Sequence, residues 1–148
     1  MAEQQAAPIS AEIMAAMRTD AEESFAYWRA NATEEQKAVG LAELEKWTND
    51  EAFGASEMAV MAAAFTAAGP NAAGCLNQAG FMTFIADISA KSAARGNFED
   101  TRPEYRQRTY ALCNRFNPAT DGVTMADFGT IVEAYSGISE ELKNAAGL

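Results

Sequence analysis

The reading of the fold turns on AGCLNQAGFMTFIADI, residues 73–88, and on its echo TDGVTMADFGTIVEAY, residues 120–135. In the first, Leu76 precedes Phe81 by five places, and Phe81 is followed at the third, fourth and seventh positions by Phe84, Ile85 and Ile88. In the second, Val123 precedes Phe128 by the same interval, and Ile131, Val132 and Tyr135 repeat the same offsets. Apolar residues at those offsets form one face of a helix. The matched preamble, a glycine-containing turn and then one isolated aliphatic residue, is not something an ordinary amphipathic helix requires.

Outward from these stretches the chain alternates helical segments with short breaks. Ser10 is a candidate N-cap for a helix carrying Ile13, Met14, Met17, Phe25 and Trp28. Thr33 with Gln36 forms a capping-box pattern ahead of Val39, Leu41, Leu44 and Trp47. TNDEAFG, residues 48–54, reads as a polar turn, with Ser56 capping a helix that carries Met58, Met61 and Phe65. Gly69, Pro70, Asn71 and Gly74 stop that helix. The next spans about Gln78 to Arg95, with Gly96 beyond its end. Pro103 suits the first turn of a helix bearing Tyr105, Leu112 and Phe116. A helix from about Met125 to Ser136 follows, ended by Gly137, and Ser139 opens a last short one.

With 148 residues, abundant alanine and scattered Val, Ile and Thr, the expectation is an all-α fold in one compact domain, residues 9–148, behind a polar tail at 1–8. There are 21 acidic and 11 basic residues and no His, giving a net charge of −10. Nucleic acid is disfavoured as a partner, because phosphate binding needs a basic face. Residues 1–60 carry twelve acids and four bases, so a cationic partner would be steered to that half. Arg102, Arg106, Arg108 and Arg115 could clamp an acidic partner or the acidic first half of the chain itself.

No run approaches a membrane span, and the first residues lack the basic and apolar blocks of a leader. Cys75 and Cys113 have no CxxC spacing. A cytoplasmic chain with reduced thiols is the expectation. Without His, no Ser–His or Cys–His relay can be built, and no nucleotide-binding glycine motif is present, so an enzyme is not expected. Trp28 and Trp47 read as anchors of the first helices.

The order helix, glycine turn, aliphatic residue, helix with Phe just after the loop resembles the EF-hand superfamily, calmodulin-like and light-chain-like proteins among them. GPNAAGCLNQAG, residues 69–80, fits that frame without a gap, with Gly74, Leu76 and Phe81 at the family's glycine, bridging and post-loop positions. Its ligand positions hold Gly69, Asn71, Ala73 and Gly80, which offer no carboxylate. NPATDGVTMAD, residues 117–127, keeps more of the chemistry but is one residue short. The resemblance implies weak calcium binding there through Asn117, Asp121, Thr124 and Asp127.

Helix-loop-helix units are expected at about 56–95 and 103–136, with a third, fainter one at about 25–47 built on the frame 32–43. The two aliphatic residues of the main units, Leu76 and Val123, are expected to bridge loop to loop. By the same resemblance, the function would be a non-catalytic interaction or regulatory module. It would grip an amphipathic helical segment of a protein, a basic one by charge, in an apolar groove of Met58, Met61, Phe65, Phe84 and Ile88. A calcium sensor or buffer using the 117–127 loop, and a structural subunit of a larger assembly, are the alternatives.

Overall fold

The computed structural model describes residues 9–116 and 121–148. Within them the chain forms α1 (Ala11–Asn31), α2 (Glu34–Asn49), α3 (Glu51–Ala67), β1 (Cys75–Leu76), α4 (Gln78–Ala94), α5 (Pro103–Phe116), β2 (Val123–Thr124) and α6 (Met125–Ala145). The domain is all-α apart from one two-strand ladder.

Local chemistry accounts for most of the boundaries. The Ser10 hydroxyl accepts from the Ile13 amide at 3.2 Å, satisfying one of the free N–H groups that open α1. At α2 the box is reciprocal: Thr33 Oγ1 accepts from the Gln36 amide at 3.1 Å, and Gln36 Oε1 accepts from the Thr33 amide at 2.8 Å. Pro103 opens α5, and Gly96 follows α4 with φ +99°.

Three boundaries differ from the sequence expectation. Residues 48–54 are not a turn: only Asp50 separates α2 from α3, and its side chain caps α3 by accepting from the Phe53 amide at 3.1 Å. Ser56 therefore lies inside α3, exposed. Gly137 does not end α6, which continues to Ala145 because Ile138 and Leu142 carry its apolar face onward into the core. The frame 32–43 is no loop either, since Val39 and Glu43 sit within α2. With a strong cap at Thr33 and no glycine at the loop's sixth position, that stretch runs on as helix through Gly40.

The core lies where α1, α3, α4, α5 and α6 converge on the ladder. Its centre is aromatic: Phe84 meets Phe128 edge-on at 4.8 Å between ring centres and Phe65 at 5.5 Å, while Phe81 reaches Phe128 at 6.0 Å. Burying each such ring contributes roughly 1.5–3 kcal/mol. Met17 of α1 is fully enclosed beside them, and α2 contributes no fully buried residue and packs on the outside.

Candidate functional site

The two echoing stretches meet in space. β1 and β2 pair antiparallel, with Leu76 opposite Val123 and Cys75 opposite Thr124. Both aliphatic side chains are at most 1% exposed, so the ladder is locked by burial as well as by its backbone bonds.

The loop before β1 closes on itself. Asn71 Oδ1 accepts from the amides of Ala73 and Cys75, each at 3.0 Å, while the Asn71 amide donates to the Cys75 carbonyl at 3.0 Å. Gly69 and Gly74 take φ of +81° and +78°, the left-handed conformation that glycine reaches without cost from a Cβ. Asn77 then caps α4 by accepting from the Gly80 amide at 2.9 Å. Both asparagine oxygens are thus committed to the backbone.

Of the residues expected to hold calcium, Asn117 lies outside the described residues. Asp121 is exposed at the edge of the ladder. Thr124 caps α6, its hydroxyl accepting from the Asp127 amide at 3.1 Å, and Asp127 is 2% exposed in that first turn. A carboxylate at a helix N-terminus is favoured by the exposed amides and the helix dipole. Among the described residues no three His, Cys, Asp or Glu side chains converge. Calcium takes six to eight oxygens. The described side chains of this loop supply three oxygen-bearing groups, Asp121, Thr124 and Asp127, of which the Thr124 hydroxyl already serves as a cap.

Both thiols are buried and unpaired. Burial raises the Cys75 thiol, helped by the charges of Asp127 and Asp121, and pushes the Cys113 thiol up to about 12. Neither is a thiolate near neutrality.

The five groove residues do not share one surface. Phe65 and Phe84 are core, drawn in because rings carry the largest apolar area. Met61 and Ile88 line a shallow hollow of about 230 Å³, and Met58 lines a separate cleft of about 840 Å³ between α3 and α6. The apolar lining of that cleft is Met58 and Trp47 with small residues such as Gly54 and Gly129. Asp50, Glu51, Glu133 and Glu140 also line it, with no Lys or Arg among the lining residues.

Arg102, just ahead of α5, and Arg108 and Arg115 on α5 each pair with a carboxylate of the acidic first half. Arg102 reaches Glu23 at 2.9 Å and Asp100 at 2.7 Å, Arg108 reaches Glu23 at 2.7 Å, and Arg115 reaches Glu12 at 3.0 Å. Arg106 instead pairs with Glu99 at 3.3 Å. The hydrogen bond from Arg102 holds the Glu23 carboxyl below its ordinary range. Asp20 goes the other way: burial raises it, against the Tyr135 hydroxyl that donates to it at 2.9 Å and the charge of Arg108.

Sequence reasoning missed an open pocket of about 440 Å³ bounded by α1, α2, α5, α6 and the α4–α5 connection and lined by both tryptophans. Its residues are spread from Ala21 to Ser139, and no local spacing links them. No helix among the described residues is long and apolar enough to cross a membrane. Compared with family models, with curated proteins and with solved structures, the chain gives no match, so its site is read from its own geometry.

Proposed function

We propose that this chain is a non-catalytic, EF-hand-like interaction module that closes its paired loops without calcium and takes a basic, amphipathic helical segment of a protein partner. The observation that carries the proposal is the cleft between α3 and α6. Four carboxylates line it with no Lys or Arg beside them, and Met58, Trp47 and small glycine and alanine residues give it apolar surface for a partner's side chains.

Two further features support the reading. The 69–80 loop has no carboxylate, hence no like-charge repulsion for a cation to relieve, and its asparagine oxygens accept backbone amides instead. A non-catalytic role agrees with the lack of histidine and with two thiols held protonated by burial. Unpaired thiols suit a reducing compartment, and a cytoplasmic setting is part of the proposal.

The test is calorimetric titration with a synthetic leucine–lysine amphipathic peptide in excess chelator. Micromolar binding is expected, weakened several-fold by Glu133→Lys together with Glu140→Lys and unchanged when calcium is added. Binding that appears only after calcium addition would transfer the reading to a sensor that uses Asn117, Asp121, Thr124 and Asp127. An absence of binding in either condition would overturn the interaction reading.

A further inference from the structure

We propose that the cavity between α1, α2 and α6 is a binding site for a small, neutral, planar aromatic molecule carrying one hydrogen-bonding group. This site meets the acidic cleft only at Trp47 and does not depend on the role proposed for that cleft.

Size and walls come first. At about 440 Å³ the cavity falls within the range of small-molecule sites, which also favour junctions between helices. Its walls are largely ring faces and aliphatic carbons: Phe25 and Trp28 from α1, Leu44 and Trp47 from α2, Phe98 from the α4–α5 connection and Tyr105 from α5. Phe25 and Trp28 both line it and stack on each other, with their centres 5.5 Å apart and their planes 28° from parallel. A lining this rich in rings rewards a flat aromatic ligand, because ring-on-ring contact adds to the dispersion gained over the matched area.

Charge then narrows the class. Two carboxylates line the cavity, Glu43 and Asp100, and no Lys or Arg does. An anion would meet only those carboxylates. A cation would find them occupied: Glu43 accepts from Arg95 at 2.8 Å and from Asn97 at 2.8 Å, and Asp100 accepts from Arg102 at 2.7 Å. A charged ligand would therefore find no free ion-pair partner in the lining, and a cation would have only the ring faces to repay its lost hydration. A neutral one keeps the ring contacts and still finds hydroxyls. Tyr105 accepts from the Ser24 hydroxyl at 3.0 Å, which leaves its own proton to donate, and the Ser139 hydroxyl makes no side-chain hydrogen bond among the described residues.

Gly40 is the second, independent observation. It lies inside α2, where glycine weakens a helix relative to alanine. Its backbone is not in the left-handed region, and an added Cβ would meet the Trp28 ring and Asn97 Oδ1 no closer than 3.6 Å, an ordinary contact. Neither conformation nor tight packing calls for glycine here. What a side chain at this position would consume is cavity space beside Trp28.

The test uses one ring system in four forms: 2-naphthol, naphthalene, 2-naphthoate and 2-naphthylmethylamine. Binding is measured by calorimetry and by the two indole N–H resonances, since the chain has two tryptophans and both border the cavity. Trp28 is the informative one, because Trp47 also borders the acidic cleft. A saturable shift of the Trp28 resonance by 2-naphthol is expected, with affinity about tenfold above the anion, the cation and the unsubstituted hydrocarbon. Gly40→Leu should abolish that shift. Gly40→Ala should weaken binding while raising the melting temperature, which separates loss of space from loss of fold if the leucine variant does not fold. The proposal is overturned if 2-naphthol gives no saturable shift, if naphthoate binds as tightly, or if Gly40→Ala leaves 2-naphthol binding unchanged.

Discussion

At the scale of single residues, the ladder rests on glycines that are not equivalent. Gly74 has φ +78° with open space where a Cβ would go, so Gly74→Ala should cost roughly 1–2 kcal/mol, the conformational penalty alone. Gly122 has φ +109°, and a Cβ there would lie 2.6 Å from the Leu76 carbonyl oxygen, so the other strand blocks it. Gly122→Ala should therefore cost roughly 3 kcal/mol or more, by urea unfolding with an unchanged slope. Equal costs for the two variants would mean that the strands do not approach so closely. Leu76 and Val123 were legible in the sequence because each is a lone aliphatic residue between a glycine turn and a Phe-led face. The role of Gly122 as the contact point between strands was not, since it depends on what stands opposite.

At the scale of elements, Gly137 shows how tertiary burial overrides a local stop signal. Gly137, with Ser136 before it and Ser139 after it, looks like a helix stop followed by a new cap, yet the run Phe128, Ile131, Tyr135, Ile138, Leu142 keeps helical spacing straight through it. Tertiary burial of Ile138, 4% exposed, outweighs a glycine's preference. Gly137 is exposed with nothing within 4 Å of a Cβ, so Gly137→Ala should stabilise by about 0.5–1 kcal/mol in thermal or urea unfolding. A destabilisation would restore the helix end. Charge alone left the arginines either an acidic partner or the acidic first half of the chain; the structure pairs Arg102, Arg108 and Arg115 with α1, and its geometry grades the pairs. Glu12 is 83% exposed in its pair with Arg115, and Glu12→Gln should change nothing measurable. Glu23 serves both Arg102 and Arg108, and Glu23→Gln should cost up to about 1 kcal/mol, shrinking at high salt.

At the scale of the whole molecule, the surplus of acid and the inward arginines together set the response to pH. Glu23, Glu43 and Asp100 are held below their ordinary range, the first by the bond from Arg102, the others by arginine and amide bonds that outweigh the opposing effect of burial. A depressed carboxyl stabilises the fold above its unfolded value, and that contribution is lost as pH falls through the range of about 4 and below. Asp20 has the opposite sign. Because burial raises it, its ionised form is the costly one, and acidification returns some stability at that site. Protonation also relieves the self-repulsion of a chain with net charge −10. The melting temperature should therefore peak nearer pH 5 than pH 8 and fall steeply below about pH 4, where three losses outweigh one gain. Asp20→Asn isolates the minority term: the amide oxygen still accepts from Tyr135, so the variant should match or slightly exceed the parent near neutrality and lose stability more steeply in acid. A parent that melts higher at pH 3 than at pH 6 would mean that Arg102 and Arg95 do not hold their carboxylates in solution, and the docking of α1 and of the α4–α5 connection would need another explanation.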